Sequence, residues 1–225
     1  MWKFLAVAFA AAAVLDASAQ GRATVPSSLL AAARDQPIQF AMALTKASIP
    51  AGFEIRESDD GAPLGRPSGA GEGSARLSDV AKAFETYHRD YRAVVMGSVL
   101  VVRPRKGAAS VLDAPSAILE RTKVTGIMAA ARHIFSARWP ALLGPTLNSF
   151  GRPGEDIDIV LDGRGRRVID TLNEIVMQAP NRAWVVTTRH EGEEVQISSF
   201  GFLDSGGHRS VHSVSGLRDG GERHK

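Results

Sequence analysis

Hydrophobic and polar positions change their spacing several times in the first half of the chain. From Gln36, closely spaced apolar residues predict a short helix with Pro37 in its first turn, where a missing backbone N–H costs little. Pro50 ends that helix. Residues 53–56 then alternate between apolar and charged side chains, which predicts a strand with one buried face and one solvated face.

A second helix and a hairpin follow a loop at residues 59–74 that is rich in glycine and proline. Ser78 is predicted to cap this helix. Its apolar stripe, at spacings of three and four residues, consists of Leu77, Val80, Ala81, Phe84 and Tyr87. Two β-rich runs at 92–96 and 98–103 then flank Gly97 and predict a β-hairpin.

The same order of elements returns in the second half of the chain. The predicted elements are a helix at 126–139 capped by Thr125, a strand at 156–161, a helix at 168–178, and strands at 183–188 and 194–200. Sliding one half along the other by 91 positions aligns five apolar pairs without a gap. The pairs are Leu77 with Val168, Ala81 with Leu172, Phe84 with Ile175, Val94 with Val185, and Val95 with Val186. An internal duplication is therefore predicted.

These patterns predict an α+β fold made of two small modules, residues 25–105 and 106–203. Each module has the order helix, strand, helix, strand, strand, packed on antiparallel or mixed sheets. After Phe202 the apolar periodicity is lost, and Gly, Ser, His and Arg dominate. Residues 204–225 are therefore predicted to form a disordered tail.

Residues 1–19 have the pattern of a cleaved export signal. Lys3 supplies a positive start, residues 4–15 an apolar centre, and Ala17-Ser18-Ala19 a small-residue cleavage site before Gln20. The apolar run is too short to span a bilayer comfortably, so no transmembrane anchor is expected after cleavage. These features predict a periplasmic or secreted protein.

Composition narrows the chemistry further. The chain has no cysteine, which excludes disulfides and thiolate metal sites, and its formal net charge is only +3. Basic residues are mostly interleaved with acidic ones, unlike the clustered basic face of most nucleic-acid binders. We therefore expect no specific nucleic-acid partner.

Three acidic residues mark the strand predicted at 156–161. Asp156 and Asp158 alternate with aliphatic residues, and Asp162 follows directly. Such a row can bind a divalent cation or supply an acid and a base. The pattern is more typical of a solvated strand face opposite a core, and that interpretation is favoured.

A basic turn is the first candidate binding site. Arg164, Arg166 and Arg167 precede the predicted helix at 168–178, and their guanidinium groups are suited to gripping a carboxylate or a phosphate. A solvated turn is the commoner role for such residues. Among the surface patches, this turn is the first choice for a binding role.

The last predicted strand is the second candidate site. If Val195, Ile197 and Ser199 lie at a sheet edge, this strand can accept a partner strand through main-chain hydrogen bonds. The two candidates are thus of different kinds, one electrostatic and one made by the backbone.

Two segments resemble catalytic or cofactor-binding motifs, but neither has the residues that its motif requires at the required positions. His88-Arg89-Asp90 matches the start of a kinase catalytic loop, but Val95 stands where that loop needs Asn. His88 and Arg89 are instead predicted to be exposed at a helix C-terminus. The glycine run at 69–74 lacks the Lys of a phosphate-binding loop. The sequence therefore predicts no catalytic residue, no metal and no cofactor.

Two segments resemble the secretin and TonB short N-terminal domain. "QPIQFAMALTKASIPAGFEIRES", residues 36–58, is similar to its opening helix and strand, and "IDIVLDGRGRRVIDTLNEIVMQAPNRAWVV", residues 157–186, is similar to its strand-helix-strand half. The resemblance implies an extracytoplasmic α+β module that docks on other envelope proteins without a cofactor or catalysis. Long loops interrupt both repeats, unlike the family pattern.

The sequence thus favours a noncatalytic extracytoplasmic module for protein–protein interaction or envelope assembly, with an envelope protein as its partner. The first alternative is a hydrolase or binding protein for an envelope polymer that uses the acidic strand at 156–162. The second is a weak polyanion binder acting through Arg164–Arg167, whose affinity would fall steeply with salt.

Overall fold

The computed structural model describes residues 23–60, 72–105, 110–135, 157–191, 194–207 and 209–213, and it has an α+β fold, as predicted. Its helices are α1 (Ser28–Ala32), α2 (Pro37–Lys46), α3 (Leu77–Tyr87), α4 (Ile127–Phe135) and α5 (Val168–Gln178). Its strands are β1 (Thr24–Pro26), β2 (Ala51–Arg56), β3 (Ser74–Arg76), β4 (Tyr91–Met96), β5 (Val99–Pro104), β6 (Thr122–Thr125), β7 (Asp158–Leu161), β8 (Arg182–Glu191), β9 (Glu194–Asp204) and β10 (Arg209–Ser213). None of the helices in these ranges has the length and apolar character needed to cross a lipid bilayer.

Six strands form one mixed sheet in the order β10–β9–β8–β2–β5–β4. The central strand β2 runs parallel to both of its neighbours, β8 and β5, whereas the remaining neighbours are antiparallel. β2 belongs to the first predicted module and β8 to the second. The two modules therefore meet at the β2–β8 pair and share a single sheet.

Helices cover both faces of this sheet. On one face, α1, α2 and α3 form a core with Phe53 and Ile55 of β2 and with Val185 of β8. On the other face, α4 and α5 pack with Trp184 and Val186 of the same strand β8. Successive residues of a strand point to opposite faces, so one strand contributes to both cores. Each module thus supplies the helices of one core.

Each face also carries a two-stranded antiparallel sheet, a pairing that the sequence did not predict. β1 pairs with β3 on the first face, and β6 pairs with β7 on the second. Each of these small sheets has a strand shortly before the helix α3 or α5, whose bounds differ by the same 91 positions as the aligned apolar residues. The internal duplication itself stays a prediction.

Most of the predicted elements are confirmed, with changes at their ends. The helix at 168–178 has the predicted bounds, and the hairpin around Gly97 is present as β4 and β5. The predicted cap of α3 is wrong, because Arg76 is the N-cap residue and Ser78 lies in the first turn. The helix predicted at 126–139 is observed as α4, and residues 136–139 lie outside the described residues.

The predicted solvated face of β2 is wrong. Glu54 is only 4% exposed, because β2 is the central strand and is covered on both faces. Arg103 of β5 compensates the buried carboxylate by donating a hydrogen bond of 2.7 Å from Nε to Glu54 Oε2. The same guanidinium donates two hydrogen bonds to Asp113, at 3.0 and 2.7 Å. Burial acts to lower the pKa of Arg103, but these two carboxylates outweigh it and raise the pKa.

The predicted disordered tail begins too early. β9 continues to Asp204, and residues 209–213 form β10, which pairs antiparallel with β9. Main-chain hydrogen bonds hold an edge strand without a strongly apolar pattern, which explains why periodicity missed it. Residues 214–225 lie outside the described residues.

A tryptophan packed on a glycine lies at the junction of the two modules. Gly52 of β2 and Trp184 of β8 are register partners in the parallel pair. A Cβ atom on Gly52 would fall 1.9–2.3 Å from three atoms of the indole ring, so only glycine leaves room for the ring. The buried indole Nε1 donates a 2.9 Å hydrogen bond to Asn173 Oδ1 of α5. This contact connects the central strand, β8 and α5.

We expect Gly52→Ala to lower the free energy of unfolding by about 1–3 kcal/mol, because the new methyl group overlaps the Trp184 ring. Chemical denaturation with fluorescence or circular dichroism measures this change. Trp184→Phe provides the control in a double-mutant cycle. Since Phe lacks the crowded indole atoms, Trp184→Phe should cost less in the Gly52→Ala background than in the wild type. Strictly additive costs would contradict this account of the contact.

Candidate binding site

Internal ion pairs occupy all three arginines of the predicted basic turn. The turn connects β7 to α5, and Gly165 adopts a positive φ of 65° within it. Arg164 donates from Nε and Nη2 to the two carboxylate oxygens of Asp162, at 3.0 and 2.9 Å. Arg166 Nη1 lies 3.4 Å from Glu174 Oε2. The Arg164 hydrogen bonds lower the pKa of Asp162 to about 2.

Arg167 is held at the N-terminus of α5. Its Nε and Nη2 donate to Asp170 at 3.0 and 2.9 Å, while the Arg167 backbone N–H also donates to that carboxylate. A second carboxylate, Asp113, lies 3.6 Å from Arg167 Nη1. Burial acts to raise the pKa of Asp170, but the hydrogen bonds from Arg167 lower it overall. These hydrogen bonds between Arg167 and Asp170 cap the N-terminus of α5, so they favour a structural role for Arg167.

The acidic strand shows the same internal pairing. Asp156 lies outside the described residues, and Asp158 is exposed on β7. Lys123 Nζ lies 2.6 Å from Asp158 Oδ2, and the Thr125 hydroxyl donates to Asp158 Oδ1 at 3.0 Å. The bond from Lys123 lowers the pKa of Asp158. Within the described ranges, no group of three or more His, Asp or Glu side chains is arranged to hold a metal ion.

The predicted edge position of Val195, Ile197 and Ser199 is wrong. These residues lie on β9, which is flanked by β8 on one side and β10 on the other. Ile197 is 8% exposed and belongs to the second core. The edge prediction failed because it depended on the absence of a following strand. The sheet instead ends at β10 and at β4.

The two edges of the sheet differ. At β4, the Ala93 N–H donates to Glu85 Oε1 at 2.8 Å, and the Tyr91 N–H donates to the His88 carbonyl at 2.9 Å. Arg105 fixes the Glu85 carboxylate in turn, at 2.9 Å. These contacts occupy edge amides that a partner strand would need. In the described part of the chain, no strand pairs with the outer side of β10.

Sequence reasoning missed a cavity at the corner where α2 begins, α3 ends and β4 begins. Its volume is about 340 Å³, near the lower end of the range for ligand pockets. The polar and aromatic residues that line it include Gln36, Asp59, Tyr87, His88, Asp90 and Tyr91. Carboxylates, an imidazole and phenol rings therefore converge on one small opening.

His88 extends an aromatic stack from the core to this cavity. Phe84 stacks on Phe40 with ring centroids 4.8 Å apart, and His88 stacks on Phe84 at 4.3 Å. The ring is half-buried, so the predicted exposure of His88 is wrong. Its Nε2 atom is buried and has no hydrogen-bond partner among the described residues. Burial lowers the pKa of His88, although the backbone of Asp35 and Ala33 and two nearby carboxylates act to raise it.

Tyr91 and Asp59 form the other wall of the cavity. The buried Tyr91 hydroxyl donates a short hydrogen bond to Asp59 Oδ2 and accepts one of 3.2 Å from the Arg56 N–H. Burial, followed by the bond to Asp59, raises the pKa of Tyr91. The phenol therefore stays protonated and keeps the Asp59 carboxylate in place at the rim.

The sequence contained one weak signal for this cavity. Phe84 and His88 are four residues apart, the spacing at which helix side chains share a face, so His88 continues the apolar stripe of α3. Asp59 and Gln36 come from distant segments, and only the tertiary structure brings them close to His88.

No known family model, curated protein or solved structure matches this chain. The resemblance to the secretin and TonB short N-terminal domain therefore stays a prediction. The candidate sites are defined by the geometry of the chain itself.

We expect the stability of the protein to fall on acidification through the titration of His88. Its pKa is lowered in the folded state, so protonation favours the unfolded chain as pH drops below the ordinary value of about 6.5. Chemical denaturation at about pH 7.5 and about pH 5.5 spans this window without titrating most exposed carboxylates. His88→Gln should lose less stability between these conditions than the wild type. An equal loss in both proteins would contradict the assignment.

Proposed function

We propose that this protein is a noncatalytic module for protein–protein interaction or envelope assembly that acts in the periplasm or after secretion. The observation that carries the proposal is the difference between the two sheet edges. Side-chain and main-chain contacts block amides of β4, whereas β10 has an outer side without a partner strand in the described residues. The predicted export signal and the resemblance to an envelope docking domain support the same role.

The proposed docking mode is the addition of a partner strand along β10. Main-chain N–H and C=O groups on the outer side of an edge strand can continue the sheet into another chain. β10 is held on its inner side by five register pairs with β9, from Arg209–Leu203 to Ser213–Ser199. It therefore presents a backbone template attached to the main core. This proposal moves the predicted docking strand from β9 to β10.

The geometry gives less support to the two alternatives. A hydrolase based on the acidic strand needs carboxylates free to act, but Asp158 and Asp162 are bound by Lys123 and Arg164. A polyanion binder needs unpaired guanidinium groups, but Arg164 and Arg167 both form bonds with carboxylates of this chain. These pairs favour structural roles for both patches.

Proline substitution at β10 tests the docking mode. Successive residues of an antiparallel strand direct their N–H groups alternately toward the neighbouring strand and away from it. One of Ser210→Pro and Val211→Pro therefore removes an amide that faces the partner, and the other removes one bonded to β9. Thermal melts identify the variant that keeps the native fold, since loss of a ladder hydrogen bond destabilises the hairpin.

The measurement is crosslinking in intact cells, followed by purification of the tagged mature protein and identification of what is attached. We expect the wild type to carry a reproducible envelope protein and the folded proline variant to lose most of it. The second β10 variant serves as the matched comparison, because it carries the same substitution on the same strand. Recovery of the same partner by the folded variant, or recovery of the wild type alone, would overturn the proposal.

A further inference from the structure

We propose that residues 217–222 of this chain fold back along the outer side of β10 and compete there with the partner strand. This inference rests on the proposed docking strand and adds its regulation, because the same edge then has a covered and an open state. No strand of the described residues pairs with that side of β10. The segment that follows β10 in the chain is the occupant that position and charge favour.

The chain leaves β10 at the edge itself. β10 ends at Ser213, and residues 214–225 continue from it outside the described residues. A segment joined to its site by a short flexible linker has an effective concentration of about millimolar there. A partner strand in free solution lacks this advantage, so residues 217–222 can compete with it even through weak contacts.

The residues directly after β10 have the composition of a tight turn. Ser215-Gly216 is a dipeptide that commonly marks turns, and glycine readily adopts the positive φ that two-residue hairpin loops require. With these two residues as the loop, Val214 faces Leu217 and the chain returns antiparallel to β10. Residues 218–222 then lie opposite the whole of β10.

The charges of the two segments match in this register. Arg209 lies opposite Glu222, and His212 lies opposite Asp219. Opposite charges at directly facing strand positions stabilise the pairing, and like charges there destabilise it. No two like charges face each other in this register. The return of the chain therefore brings an electrostatically complementary strand to β10.

The other turn dipeptides of this segment do not give such a match. A loop at Asp219-Gly220 would pair only residues 214–217, which lie beyond β10, and would bring no opposite charges together. A loop at Gly220-Gly221 would set Asp219 against Glu222, two like charges. Charge complementarity therefore selects the loop at Ser215-Gly216, which covers β10.

The composition of residues 217–222 makes this cover displaceable. Leu217 is its only aliphatic residue, and Gly220 and Gly221 weaken a strand because they bring no side chains to pack. A partner strand with β-branched or aromatic side chains forms more contacts with its neighbours. The cover therefore sets a threshold that excludes weak partners and yields to a strong one.

Disulfide trapping in the whole mature protein tests the register, since the natural chain has no cysteine. Val211→Cys with Gly220→Cys places two thiols at directly facing positions, close to the separation that a disulfide needs. Val211→Cys with Gly221→Cys is the matched control, because a shift of one residue turns the side chain to the other face of the sheet. In dilute protein, we expect the first pair to form a disulfide within one chain and the control to stay largely reduced.

Three results of the trapping experiment would overturn the inference. They are equal oxidation of the two pairs, no oxidation of the first pair, and disulfides between two chains, which would assign the edge to a second copy. Thermal melts first show that each variant keeps its fold. If Val211→Cys disturbs it, Ser213→Cys with Arg218→Cys replaces the first pair, and Ser213→Cys with Leu217→Cys is then its shifted control.

A charge reversal tests the facing pair. In the background of the first cysteine pair, Glu222→Arg should slow disulfide formation about fivefold, the upper end for one facing charge pair. Adding Arg209→Glu restores opposite charges and should restore the rate. An unchanged rate in the single reversal, or no recovery of the rate in the double one, would contradict the register.

The crosslinking experiment in cells tests the competition. Glu222→Arg, in the protein without added cysteines, should increase recovery of the envelope partner, because it weakens the cover. Glu120→Arg makes the same charge change at an exposed position outside this segment and should leave recovery unchanged. Equal recovery from the wild type and Glu222→Arg would overturn the regulatory role.

Failure of this inference is distinguishable from failure of the proposed function. If the interaction role is wrong, no partner is recovered with any variant, yet the first cysteine pair still forms its disulfide. If the cover is wrong, the partner is recovered and depends on β10, while the two cysteine pairs show no preference for the proposed register.

Discussion

The contact between Trp184 and Gly52 constrains the whole arrangement of this protein. A full indole ring lies over the central strand only because its register partner has no side chain, and α5 is fixed to that ring through Asn173. Among the described residues, the largest fully buried side chain, Trp184, thus lies where strands from the two predicted modules meet. The two cores on opposite faces share this sheet, so the junction connects the packing of both.

A series of ion pairs reinforces this junction. Glu54 on the central strand pairs with Arg103, which bonds to Asp113, and Asp113 in turn lies near Arg167 at the start of α5. The Glu54 end is buried, where loss of one partner leaves a charge without compensation. The Arg167 end is exposed and contributes less. The arginines that resemble a binding patch in the sequence therefore pair within the second module, and the Arg103–Asp113 pair crosses the boundary between the modules.

The same architecture separates the cavity from the outer side of β10, with which no strand of the described residues pairs. The cavity depends on the stack of Phe40, Phe84 and His88, which continues the first core to the surface at the end of α3. The side chain of Glu85, on the same helix, occupies the Ala93 amide of the neighbouring edge strand. One helix, α3, therefore occupies an amide of one sheet edge and forms a wall of the cavity.

Local patterns determined the α+β class, the bounds of α5 and the hairpin around Gly97, because periodicity and turn chemistry are properties of neighbouring residues. They misassigned Glu54, His88 and the edge position of Ile197, whose exposure depends on which strands and helices lie beside them. Glu54 is buried because Arg103, which is distant in the sequence, compensates its charge. Ile197 is not on an edge strand because the later strand β10 pairs with β9. The order of the strands in the sheet therefore required the tertiary structure. So did the cavity, where Gln36 and Asp59 lie close to His88 although the three residues are far apart in the sequence.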